Sequence, residues 1–132
     1  MDEEKLNRLP ADVKKQFVKL AEKLTEKKQK TKVHDDFLTF VKHVWPEFIE
    51  GAHHKKIAEK FNDIANKKIK RLIINMPPRH TKSEFASFLL PAWMVGRRPN
   101  LKIIQSTHTT ELAIRFGRKA KTLMDSQEYK EV

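Results

Sequence analysis

The chain has 132 residues, 39% of them hydrophobic, which is enough for one domain with a real core. Lysine and arginine number 28 against 17 aspartates and glutamates, and the formal net charge of +11 biases the partner towards a polyanion, either nucleic acid or nucleotide phosphates. Disulfides and Cys-ligated zinc are excluded because there is no cysteine; no apolar run is long enough to span a bilayer, and the acidic, polar start MDEEKLNRLP is not a signal peptide, so the expected site of action is a cytoplasm.

Asp12 can cap a first helix whose apolar positions Val13, Phe17, Leu20 and Leu24 fall at spacings of four, three and four. Lys14, Lys15, Lys19 and Lys23 surround that stripe, and the charged run 26–32 follows. This region reads either as a solvated face with a flexible linker or as a contact with DNA phosphates. A second helix starts at Asp35 or Asp36 and carries Phe37, Leu38, Phe40, Val41 and Val44 to Trp45, where Pro46 ends it. Phe48, Ile49 and Gly51 make a turn. His53 and His54 then open a third helix with Ile57, Ala58, Phe61, Ile64 and Ala65 on its buried side. Adjacent histidines point in different directions on a helix, so the pair is not expected to chelate one metal. Positive charge at 66–71 suits the end of that helix.

The most informative stretch is 71–83, RLIINMPPRHTKS. Leu72, Ile73 and Ile74 form a short β-branched-rich run that reads as a strand buried on both faces, stopped by Pro77-Pro78. Lys82-Ser83 then opens into a good helix former, 84–90. Strand, tight loop, Lys-Ser and helix is the layout of a phosphate-binding loop, in which amides at a helix N-terminus meet the anion. In that layout Lys82 reaches the β- and γ-phosphates and the Ser83 hydroxyl ligates Mg²⁺. The regular pattern G-x-x-x-x-G-K-[ST] is not met, because Met76 and Thr81 stand at the two glycine positions. A β-branched residue resists the φ > 0 conformations that glycine accepts. The plain alternative is a strand-to-helix turn with the prolines as breaker.

Beyond the loop, Phe85, Phe88 and Leu89 lie on the helix, and Pro91 predicts a kink or restart near Leu90. Trp93, Met94 and Val95 lead to a turn at 96–100. Residues 101–106, LKIIQS, read as a second strand followed by the polar run Thr107-His108-Thr109-Thr110. In an open parallel sheet ligands gather beyond the carboxyl ends of the strands, which is where Arg79-His80 and Ser106-Thr107-His108 would fall. The competing reading makes Thr109 or Thr110 an N-cap ahead of Glu111. A last helix from Glu111 to about Met124 sets Leu112, Ile114, Phe116 and Leu123 against Arg115, Arg118, Lys119 and Lys121.

The string PPRHTKSE, preceded by RLIINM and followed by PAWMVGRRPN, resembles the deviant Walker A segment of bacteriophage terminase large subunits, the ATPases that drive DNA packaging. That loop commonly reads PPRHGKS, so Thr81 replaces the glycine. Glu111-Leu112-Ala113 and Phe116-Gly117-Arg118 match a helix of the same family, and the likeness covers about residues 35–132. It implies an α/β fold, a partial P-loop NTPase with a parallel sheet and flanking helices over 34–132; the N-terminal basic amphipathic helix and linker read from the residues occupy 1–33. It also implies an ATPase using ATP and Mg²⁺. Lys82 and Arg79 would be the catalytic cations, Pro78, Arg79, His80, Thr81, Lys82 and Ser83 the phosphate cradle, and Ser83 the protein ligand of Mg²⁺. Trp45, Phe48, His53 and His54 would lie over the adenine. Expected partners are double-stranded DNA, the phage portal and the small terminase subunit, with a homo-oligomer allowed, no membrane, and the host cytoplasm as the place of work. Neither apolar run ends in the Asp or Glu that a Walker B strand supplies, and the acidic cluster of the family's nuclease domain is not in this stretch. Little ATPase activity is therefore expected of this chain alone. Two other readings stand beside it: a basic DNA-binding or regulatory protein without ATPase activity, and a piece of another P-loop motor such as a helicase.

Overall fold

Helix-forming periodicity accounts for the regular structure of this chain. In the computed structural model, which describes residues 10–130, every regular element is helical. The acidic start at 1–9 and residues 131–132 of the tail lie outside the described residues. The chain divides into two compact units, Met1–Thr31 and Lys32–Val132.

Within the first unit, helix α1 (Ala11–Asp35, extending into the second unit) presents Val13, Phe17, Leu20 and Leu24 at 39–57% exposure, so its apolar stripe stays in solvent. The lysine-rich run 26–32 is helical rather than a linker. Its threonine is accommodated by a local bond, Thr31 Oγ1 donating to the Lys27 carbonyl at 2.9 Å.

The second unit is built on α2 (Phe37–Val44), α3 (Ala52–Ala65) and α4, which runs through Lys82–Glu84, a π turn at Phe85–Leu89, and Leu90–Arg97. Helices α5 (Thr110–Asp125) and α6 (Gln127–Lys130) follow. Pro91 explains the π turn. It has no N–H to give the fourth carbonyl back, and its ring would crowd that carbonyl, so the backbone widens and the Leu90 N–H bonds to the Phe85 carbonyl instead. Phe37, Phe40, Phe61, Phe85, Leu89 and Trp93 are at most 2% exposed and form the centre of one core. Phe37 sits at its hub, edge-on to Phe61, Phe85 and Trp93 at 5.1–5.4 Å between centroids. The Trp93 indole N–H is satisfied by the Val33 and His34 carbonyls at 3.2 and 3.1 Å.

The expected α/β architecture is overturned: among the described residues there is no strand and no sheet, so neither 72–74 nor 101–104 belongs to a parallel sheet. The reason is physical. β-branched residues favour an extended backbone locally, but a strand exists only when a neighbour takes its N–H and C=O groups. Residues 71–77 alternate as a strand would, with Leu72, Ile74 and Met76 packed on the helical core and Ile73 86% exposed, yet no strand among the described residues pairs with their edge. In 101–106 even the inward contact is lost, and Ile104 is 96% exposed. Without a sheet, Arg79-His80 and Ser106-Thr107-His108 do not lie together at strand ends.

Asp36 fixes how α2 meets α3. Its carboxylate accepts from the Thr39 amide at 2.8 Å and hydroxyl at 2.6 Å, and from the Asn62 amide at 2.8 Å, while Asn62 Oδ1 accepts from the Phe37 N–H at 2.9 Å. Burial alone would raise its pKa; the bonds from Thr39 and Asn62 and the charge of Lys42 outweigh burial and hold it below the usual 3.8. A depressed carboxylate contributes stability that is complete above the unfolded-state value and is lost as the pH falls through the lower folded value. Asp36→Ala removes the cap and strands Asn62. We expect a loss of about 2 kcal/mol, read as a lower urea midpoint at unchanged slope, and a flatter acid limb of the stability curve.

Candidate functional site

The loop between the extended segment 71–77 and α4 carries the backbone geometry of an anion nest. Three described non-glycine residues have positive φ, and two of them, Arg79 at 64° and Thr81 at 56°, lie here. Thr81 (ψ 7°) is the N-cap of α4, and the next residue, Lys82, is already helical. A left-handed residue followed by a right-handed one turns successive amide N–H groups towards one point, the concavity that takes phosphates. The first α4 backbone bond at this end runs from the Phe85 N–H to the Thr81 carbonyl at 2.9 Å, so the amides of Lys82 and Ser83, in the first turn, have no acceptor within the helix. Lys82 folds back across the loop, its Nζ donating to the Met76 carbonyl at 3.1 Å. The ring so closed spans the six-residue interval of a phosphate loop, with Met76 and Thr81 in the glycine places. The imidazole of His80 is tied to the Pro78 carbonyl at 2.9 Å, while the side chain of Ser83 is exposed.

Thr81 adopts the conformation that its β-branch resists, at a cost of order 1–2 kcal/mol. A relay of hydrogen bonds from α3 opposes that cost. The Gly51 N–H donates to His54 Nδ1 at 2.9 Å, so this nitrogen is an acceptor and the neutral ring carries its proton on Nε2. Nε2 then donates to Thr81 Oγ1 at 2.6 Å, and the Thr81 hydroxyl donates to the His80 carbonyl at 2.7 Å. At the third position of α3, His54 fills the place that Glu or Gln takes in a capping box. Only 6% exposed, it is packed between Phe48 and Phe85 at 4.8 and 5.1 Å.

Burial, and after it the neighbouring His53 and His80, push the His54 pKa below its ordinary 6.5, with Glu50 pulling the other way. The sign follows. The stabilisation is whole above about pH 6.5, where the unfolded chain is also neutral. It declines as pH drops, because the unfolded state takes up a proton that the folded ring resists. The urea midpoint is therefore expected to fall between pH 7.5 and 5.5, and His54→Gln is expected to flatten that fall.

The other residues read from the sequence are distributed unevenly. His53 lies against His54 (ring centroids 3.8 Å apart) and near His80 (5.6 Å), so three histidines gather at the loop. Among the described residues they make no group that could hold a metal ion. Trp45 stacks at a tilt on Phe48 at 5.5 Å, and Phe48 on Phe85 at 5.4 Å, so Phe48 and His54 serve as packing behind the loop. Ser106 and His108 stay exposed. Thr109 caps α5, accepting from the Leu112 N–H at 3.4 Å. One contact was invisible in the sequence: Lys119 of α5 holds both carboxylate oxygens of Glu84 at 2.7 and 2.8 Å and lies over Phe88. The partners are 35 residues apart, and no local pattern joins them.

Comparison of the chain with protein-family models, with curated proteins and with solved structures gives no match. Among the described residues no helix is long and apolar enough to cross a membrane.

Proposed function

We propose that the chain binds ATP with Mg²⁺ through the loop 76–83 and is the nucleotide-binding part of a DNA-packaging motor of the terminase large subunit kind. The observation that carries this reading is the loop itself: left-handed backbone at Arg79 and Thr81, then Lys82 bridging to Met76, in a stretch whose PPRHTKSE string resembles that family's Walker A segment. Lys82 would meet the β- and γ-phosphates with its ammonium, and the amides of Lys82 and Ser83 would donate to the same oxygens. The exposed Arg79 would add a second cation, and the Ser83 hydroxyl would join the Mg²⁺ shell. The net charge of +11 suits double-stranded DNA as the polymer moved, with portal and small subunit as protein partners and the infected host's cytoplasm as the setting.

Turnover needs an acid to orient water, and the carboxylate nearest in sequence, Glu84, is engaged by Lys119. The chain alone is accordingly expected to bind ATP and hydrolyse it slowly. That same engagement, with the absence of a sheet among the described residues, favours a second reading in which the chain binds DNA through its charge and performs no hydrolysis. Mg²⁺-dependent binding of a fluorescent ATP analogue separates the two. Retention on DNA that weakens steeply with salt, without nucleotide binding, would leave the second standing.

A further inference from the structure

We infer that His54 is a positioning residue for the loop: its imidazole holds Thr81 in the left-handed conformation and so aims the Lys82 and Ser83 amides at a phosphate. This inference rests on the reading of 76–83 as a nucleotide site. Glycine reaches φ > 0 without strain, whereas threonine needs a compensating contact. The contact is present at 2.6 Å, reaches Thr81 from a residue 27 positions earlier in the chain, and belongs to a relay that runs from the Gly51 amide to the His80 carbonyl. Both ring nitrogens of His54 are occupied and the residue is 6% exposed, so it supports the loop and does not face a base. His54 and Thr81 thus act as one unit that replaces the missing glycine.

The test is a double-mutant cycle on the full chain, measuring Mg²⁺-dependent affinity for a fluorescent ATP analogue in wild type, His54→Ala, Thr81→Gly and the double variant. His54→Ala is expected to weaken binding roughly tenfold in the wild-type background, the scale of the strain released, and less than twofold in the Thr81→Gly background. Equal losses in the two backgrounds would overturn the inference. Thr81→Val removes the hydroxyl at constant shape and leaves His54 in place; it should lose affinity as His54→Ala does, and an unchanged affinity would count against the relay. Nuclear magnetic resonance gives a readout independent of nucleotide. The His54 ring should show Nε2 protonated and Nδ1 bare, and the Thr81 carbon shifts should leave their left-handed values in His54→Ala. If Thr81 keeps those values without His54, the inference fails even where ATP binds. If ATP does not bind the wild type but the shifts behave as stated, the function proposed above fails and the positioning role stands.

Discussion

Lys82→Ala is expected to cut Mg²⁺-dependent affinity for a fluorescent ATP analogue by about 30-fold while leaving the unfolding free energy within about 0.5 kcal/mol of wild type. The magnitude follows from the loss of a charge-assisted hydrogen bond to phosphate, worth roughly 1.5–3 kcal/mol, or about 10- to 150-fold. The fold should tolerate the change because Lys82 is half-buried and its ammonium bonds to one loop carbonyl, that of Met76. Loss of affinity together with loss of fold would mean that the lysine is a structural tie across the loop. Arg79→Ala should cost less than Lys82→Ala, since its side chain is exposed and its charge is screened.

Phe37→Ala carries the largest expected effect on stability. The ring is fully buried and edge-on to Phe61, Phe85 and Trp93, so its removal leaves a cavity with three aromatic walls. Truncating a buried Phe costs about 3–5 kcal/mol. Set against the 5–15 kcal/mol typical of a domain, that loss should leave the variant close to its unfolding midpoint at 37 °C, visible as a large drop in the urea midpoint and in near-ultraviolet circular dichroism. Because Phe85 also backs His54, the loop 76–83 should loosen with the core. Ile104→Ala is the contrast: at 96% exposure it should change stability by less than about 0.5 kcal/mol, although isoleucine is as hydrophobic as the core residues.

The helices were legible in the sequence because their signals are local. Asp36 caps α2, Gly51 precedes α3, Thr109 caps α5, and Pro91 disturbs α4 next to where its missing N–H matters. The strands were misread because a sheet is not local. The alternation in 71–76 is real and sends Leu72, Ile74 and Met76 towards the core, but the surface receiving them is helical, and among the described residues no second strand completes a ladder. At the loop, residue types placed the lysine and the serine, while the conformation ran against the stated preference of Thr81. Its left-handed φ depends on a hydrogen bond from His54, and that bond joins residues 27 apart. His54 was legible as a residue of the region and a candidate neighbour of adenine; its bond to Thr81 and its contact with Phe85 join residues 27 and 31 apart, which no local pattern shows.

The most direct measurement is a titration of isotope-labelled protein with MgATP, following backbone amides. Binding in the nest predicts large, saturable shifts at His80, Thr81, Lys82 and Ser83, with little change along α1 or at Ile104, and predicts that they vanish in Lys82→Ala. Amides of 79–83 that stay still while millimolar MgATP is added, or shifts spread over the lysine-rich face of α1 instead, would contradict a phosphate site in this loop.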